Sequence, residues 1–136
     1  MSYATLTDLI AAYGEDELIQ LTDPDGEAIK PASIERALAD AQAEIDGYLA
    51  VRFTLPLATN PAVLVSRCCD IALYRLMTLA RQNDVEDARQ RYEDAVRFLR
   101  DVAAGRATLG NVEPVAKGAG AAQMVSAGRV FGRGNW

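Results

Sequence analysis

The stretch ALADAQAEIDGYLAVRFTLPL, residues 37–57, decides the fold. Leu38, Ala41, Ile45, Tyr48 and Leu49 recur at steps of three and four, the period of an amphipathic helix. Val51, Arg52, Phe53, Thr54 and Leu55 then run into Pro56, which cannot continue a helix, so residues 51–57 are expected to be extended. Working back, Pro31, Ala32 and Ser33 form a helix start, with proline in the first turn and Ser33 as a cap. Ile34 and Arg52 join the same apolar side, and Arg52 is placed to meet the last carbonyls of this helix. Gly47 falls on the opposite side and marks either a close approach of another backbone or a tolerated weak point.

Toward the N-terminus, Thr5 and Asp8 have the spacing of a capping box, and Leu6, Leu9, Ile10 and Tyr13 make a short stripe that Gly14 ends. Glu15, Asp16 and Glu17 suit the first turn of a second helix, whose apolar contact is Leu18, Ile19 and Leu21. Thr22, Asp23, Pro24, Asp25 and Gly26 are turn formers. Asp23, Asp25 and Glu27 alternate as in a calcium loop, but the rest of that pattern is missing, so they read as a solvated turn.

Toward the C-terminus, Asn60 and Pro61 read as cap and first turn of a helix reaching residues 81–83. Its apolar arc holds Leu64, Val65, Cys68, Ile71, Ala72, Leu76 and Leu79, wide enough for a central helix. Arg75 lies inside that arc and needs a carboxylate, for which Asp40, Glu44 and Asp46 are available. Tyr74 and Met77 fall on the polar side. A capping box at Asp84 opens the last helix, whose inner face is Val85, Ala88, Tyr92, Ala95, Val96, Leu99, Val102 and Ala103. Asp87 with Arg91 and Glu93 with Arg97 are acid-first pairs, Phe98 points away from the inner face, and Gly105 ends the helix.

These elements predict an all-α fold: a small antiparallel helical bundle of four to five helices with long members near 33–51, 61–82 and 85–104. Residues 1–105 form the helical domain. Residues 106–136 form an extended C-terminal arm holding six of the ten glycines, too poor in apolar side chains to order alone and expected to order on assembly.

Composition narrows function. With no histidine, the commonest general base and metal ligand are both absent, and Ser-His-Asp or Cys-His chemistry is excluded. Cys68 and Cys69 are neighbours on a helix, diverge by about 100° and cannot pair; they read as buried thiols. No phosphate-cradling glycine motif is present. No enzyme activity, cofactor or metal is expected. The apolar runs are too short to span a bilayer and no leader pattern opens the chain, so cytosolic synthesis and no membrane partner are expected. Residues 1–60 carry 11 acids against 3 bases, residues 61–136 carry 8 against 11, and the net charge is −5. An acidic body with a basic, aromatic tail suits docking to an acidic or phosphate surface. Single-stranded nucleic acid is an alternative partner for that tail.

The phrases YATLTDLIAAYGEDELIQLTD (3–23), AEIDGYLAVRFTLPL (43–57), CCDIALYRL (68–76) and RYEDAVRFL (91–99) resemble the Mu-like prophage family of small head-completion proteins. That family resembles the head-to-tail connectors, or adaptors, of long-tailed bacteriophages. The resemblance implies a structural protein of the virion neck, made in the bacterial host cytoplasm. It implies a homo-oligomeric ring, typically twelve-fold, beneath the portal protein, through which DNA passes without sequence-specific binding. A stopper or tail-completion protein would bind the ring's other side. A stopper role, or a small helical nucleic-acid-binding module, remain alternatives. Tyr74, Met77 and Phe98 are the expected subunit-interface residues. The arm is expected to dock on a partner through Met124, Val125, Arg129, Val130, Phe131, Arg133 and Trp136, with Val125 to Phe131 adding as a strand to a neighbour's edge.

Overall fold

The computed structural model describes residues 2–110 and 112. Five helices follow one another: α1 (Leu6–Tyr13), α2 (Glu15–Thr22), α3 (Pro31–Leu49), α4 (Ala62–Leu79) and α5 (Glu86–Ala104). There is no strand among the described residues.

Local chemistry sets most of the boundaries. The Thr5 side chain accepts from the Asp8 N–H while Asp8 accepts from the Thr5 N–H, closing the expected capping box. Gly14 at φ +92° turns the chain from α1 into α2, a conformation that side chains other than glycine disfavour. Three acids occupy the first turn of α2, where they face its N–H groups. Pro31 is the first residue of α3, and the residue before it, Lys30, is the N-cap without a side-chain cap bond. Ser33 therefore lies inside the helix and not at its cap. Gly105, at φ +85°, closes α5 in the left-handed conformation.

Three expected caps are made differently. Pro61 is the N-cap of α4, and the Asn60 amide donates to the Tyr3 carbonyl at 2.9 Å, tying the N-terminal segment to the α3–α4 connection. α5 begins after Val85 with no side-chain cap, and Asp84 is exposed. Arg52 reaches across to α5 and donates to the Val102 carbonyl at 2.9 Å, so it serves the C-terminal end of a different helix from its own. This places the ends of α3 and α5 together, with α4 running the other way between them.

Residues 51–57 turn and bend where an extended segment is expected, and the Leu55–Pro56 bond is cis. The reason is burial: Phe53 and Leu57 must both point back to the core, where they are 5% and 6% exposed. Gly47 has open space around it, so no backbone approaches there.

α4 packs against each of the other four helices and is the central element. Leu64, Cys68, Ile71, Ala72 and Leu76 are buried, as are Leu73 and Cys69, which the projected arc omits. The arc widens because α1, α2 and α5 cover sides that a single partner helix would leave bare. Leu79, placed inside the arc by projection, is 70% exposed because α4 ends there, and Val51 is likewise exposed at the end of α3. The core continues past Gly105, since Leu109 is buried.

Candidate interaction surface

Glu44 projects from α3 into the seam shared by all three long helices. It accepts from Arg75 of α4 at 2.7 Å and from the Tyr92 hydroxyl of α5 at 2.8 Å. Of the three carboxylates available to Arg75, Glu44 is the one that meets it. Tyr74 stacks on Tyr92 with ring centroids 4.8 Å apart. Burial, and then the bond to Glu44, push the Tyr92 hydroxyl up to about 12, so it remains a donor at physiological pH.

Two more tyrosines repeat the arrangement. Tyr13 of α1 donates to Asp70 of α4 at 2.6 Å, and Tyr3 donates to Asp46 of α3. Burial first and the carboxylate second raise both hydroxyls well above the usual tyrosine range. Each tyrosine thus brings an apolar ring to the core and leaves its oxygen on a carboxylate at the edge. The sequence contains the signal, a tyrosine on an apolar stripe with acids on the facing helix, but not the pairing.

The three expected interface residues are placed as follows. Tyr74, Met77 and Phe98 are half-buried and pack against the core of their own chain. Tyr74 and Met77 are therefore not on a bare polar face, because α5 and α2 flank α4. Phe98 is largely covered by its own chain, and the Arg67 guanidinium lies 5.1 Å from its ring centroid. The idea that a neighbour supplies most of its burial is corrected accordingly. Each residue keeps an outward edge. On α5, Asp87 pairs with Arg91 as expected, whereas Glu93 pairs with Arg89 and Arg97 with Asp94.

Several grooves open among the described residues, three of them with clearly more apolar than polar lining. One of about 490 Å³ lies between residues 59–63, Phe98 and residues 108–112. A second, of about 340 Å³, runs between the N-terminal segment and α3 along Leu6, Pro31, Ile34, Leu38 and Ala39, with Glu35 at its rim. A third, of about 390 Å³, separates α1 from α4 beside Tyr13, Val65 and Cys69. Cys68 and Cys69 are free and buried, and burial pushes their thiols up to about 12 and about 11, against nucleophilic chemistry. Among the described residues no group of histidine, cysteine and carboxylate side chains is arranged to hold a metal ion, and no helix is long and apolar enough to cross a membrane. The seven expected arm residues, from Met124 to Trp136, lie outside the described residues.

The described residues form an all-helical body with polar seams and open apolar grooves. The chain belongs to the bacteriophage Mu Gp36 family, whose model matches residues 3–126. It is 40% identical over 134 residues to the Mu-like prophage FluMu protein gp36 of Haemophilus influenzae, covering 96% of this chain and 93% of that one. It is 42% identical over 112 residues to gene product J of Escherichia phage Mu, covering 81% and 77% respectively. The Mu-like family and the all-α fold both agree with the reading of the sequence.

Proposed function

We propose that this protein is a structural component of the phage particle, a head-to-tail connector that forms a ring below the portal protein, extends the DNA channel and receives a stopper or tail-completion protein. The observation that carries the reading is family membership over nearly the whole chain, joined to the connector resemblance of the same segments. The body supports it in three ways. Its long helices are tied together by a half-buried polar seam, which suits a subunit under load. Leu79 and Val51 are exposed at opposite ends of the antiparallel helices, as contacts between unlike faces require in a closed ring. The excess of acids in residues 1–60 would let DNA slide past without sticking. In this reading Tyr74, Met77 and Phe98 offer their outward edges to a neighbouring subunit, and the protein resides at the virion neck.

The test is a phage or prophage with this gene deleted. DNA-filled heads and free tails should accumulate separately, and an epitope-tagged copy should restore joined particles with the tag at the neck in cryo-electron micrographs. Normally tailed particles without the gene would refute the role.

A further inference from the structure

Residues 129–136 carry Val130, Phe131 and Trp136 together with Arg129 and Arg133. We propose that this segment of one copy docks in the groove between the N-terminal residues and α3 of a second copy. The inference rests on the ring reading, which supplies that second copy.

Strand addition, the mode expected for Val125 to Phe131, has no receiving edge among the described residues, which contain no strand. An apolar groove with a free carboxylate is the remaining complement to a segment of aromatics and arginines. The groove along Leu6, Ile34 and Leu38 has that chemistry, and Glu35 at its rim makes no hydrogen bond or ion pair with any described residue. The groove between α1 and α4 differs: Asp8 is committed to Thr5, and Asp70 to Tyr13 and Arg67. The cleft near Met77 holds open carboxylates too, Glu17 and Asp84, but it is polar and offers less apolar wall to an aromatic side chain.

Charge accounting points the same way. Lys30, Arg36, Arg67, Arg75, Arg89, Arg91, Arg97 and Arg106 each have a carboxylate of their own chain within 4.0 Å. Most of the body's cations are thus held internally, with Arg81 and Arg100 outside this set, and Glu35 is among the carboxylates left open. Reach is sufficient: the chain between Val112 and Arg129 spans up to roughly 55 Å, against roughly 28 Å for the whole of α3. The groove's 340 Å³ is within the size that encloses a small ligand, enough for the Trp136 indole. Because groove and segment are different surfaces, the contact is head-to-tail and repeats around a ring.

Trp136 is the only tryptophan in the chain, so its fluorescence reports on the segment. A peptide of residues 127–136 is titrated into the full-length Trp136→Ala protein. Saturable movement of peptide emission to shorter wavelength is expected. Ala39→Arg in the receiving chain, at an exposed position lining the groove, should weaken binding by roughly tenfold or more, the scale of losing one buried aromatic. Ala43→Arg, exposed on the same helix outside the groove, should leave it unchanged. No saturable shift, or equal affinity with Ala39→Arg, overturns the site. In the unmodified chain, emission should move with protein concentration in step with sedimentation. A shift already complete in the monomer places the segment on its own chain and overturns the second copy. Association without any shift refutes the docking and leaves the ring reading intact, whereas no association at any concentration removes both.

Discussion

Glu44→Gln is the sharpest probe of what holds the long helices together. The wild-type carboxylate accepts two hydrogen bonds, from Arg75 at 2.7 Å and Tyr92 at 2.8 Å, with its own side chain 16% exposed. Glutamine keeps the shape but has a single acceptor oxygen. Its oxygen can stay on Arg75, whose Nε is already buried without a partner, but its amide then faces Tyr92, which must turn its hydroxyl from donor to acceptor, and the negative charge opposite the guanidinium is gone. A hydrogen bond to a charged group is worth about 1.5–3 kcal/mol. The Arg75 side chain is 38% exposed, so water recovers part of that loss. The expected destabilisation is about 2 kcal/mol, or a fall of roughly 8 °C in Tm for a domain of this size. Urea unfolding followed by circular dichroism should show a lower midpoint at unchanged slope. Combined with Tyr92→Phe in a double-mutant cycle, the two changes should couple by about 1 kcal/mol, since they share one bond. A Glu44→Gln effect within about 0.5 kcal/mol, or no coupling to Tyr92, would refute the seam as a source of stability.

Two further expectations follow from the same geometry. Tyr3, Tyr13, Tyr92, Cys68 and Cys69 all hold their protons more tightly folded than unfolded, so above about pH 8 the unfolded chain releases protons first, from its thiols and then from its tyrosines, and stability should fall steadily toward pH 12, with no such loss below about pH 8; a flat profile of urea midpoint against pH across that range would contradict it. Thr5→Ala removes the capping box that starts α1 and should cost about 1 kcal/mol, read as a lowered urea midpoint and faster amide exchange in the N-terminal helix.

Periodicity located the three long helices to within a few residues because their apolar faces are long and their partners are other helices, and the Thr5 box, Gly14 and the acidic turn after it located the two short ones. Arg75 was legible for the same reason: a guanidinium inside an apolar arc requires a carboxylate, and α3 supplies one. The errors share a different physical origin. Asn60, Asp84 and Arg52 carry groups able to cap their own helices, but distant segments took Asn60 and Arg52, and Asp84 stays exposed without a cap bond. Local chemistry lists what a side chain can bond and says nothing of which remote group arrives. Likewise the turns at 51–57 follow from two side chains, Phe53 and Leu57, that both demand the core, a requirement stronger than the β preference of their neighbours. The interface residues were only partly legible. A projection of one helix cannot show that α5 lies over Tyr74, or that Arg67 lies over Phe98.

The bond from Arg52 to the Val102 carbonyl has a mechanical meaning. A tensile load applied to the chain beyond residue 110 meets the seat of Leu109 and then the last turn of α5. A helix held only by its own bonds would peel there one residue at a time, each step breaking a single hydrogen bond. Here the terminal carbonyl is clamped by a guanidinium rooted just past α3, and Leu109 is seated in the core outside the clamp. Force on that segment is thus shared between the end of α5 and the connection after α3, and fraying of the last turn must break this added bond as well as the helix's own.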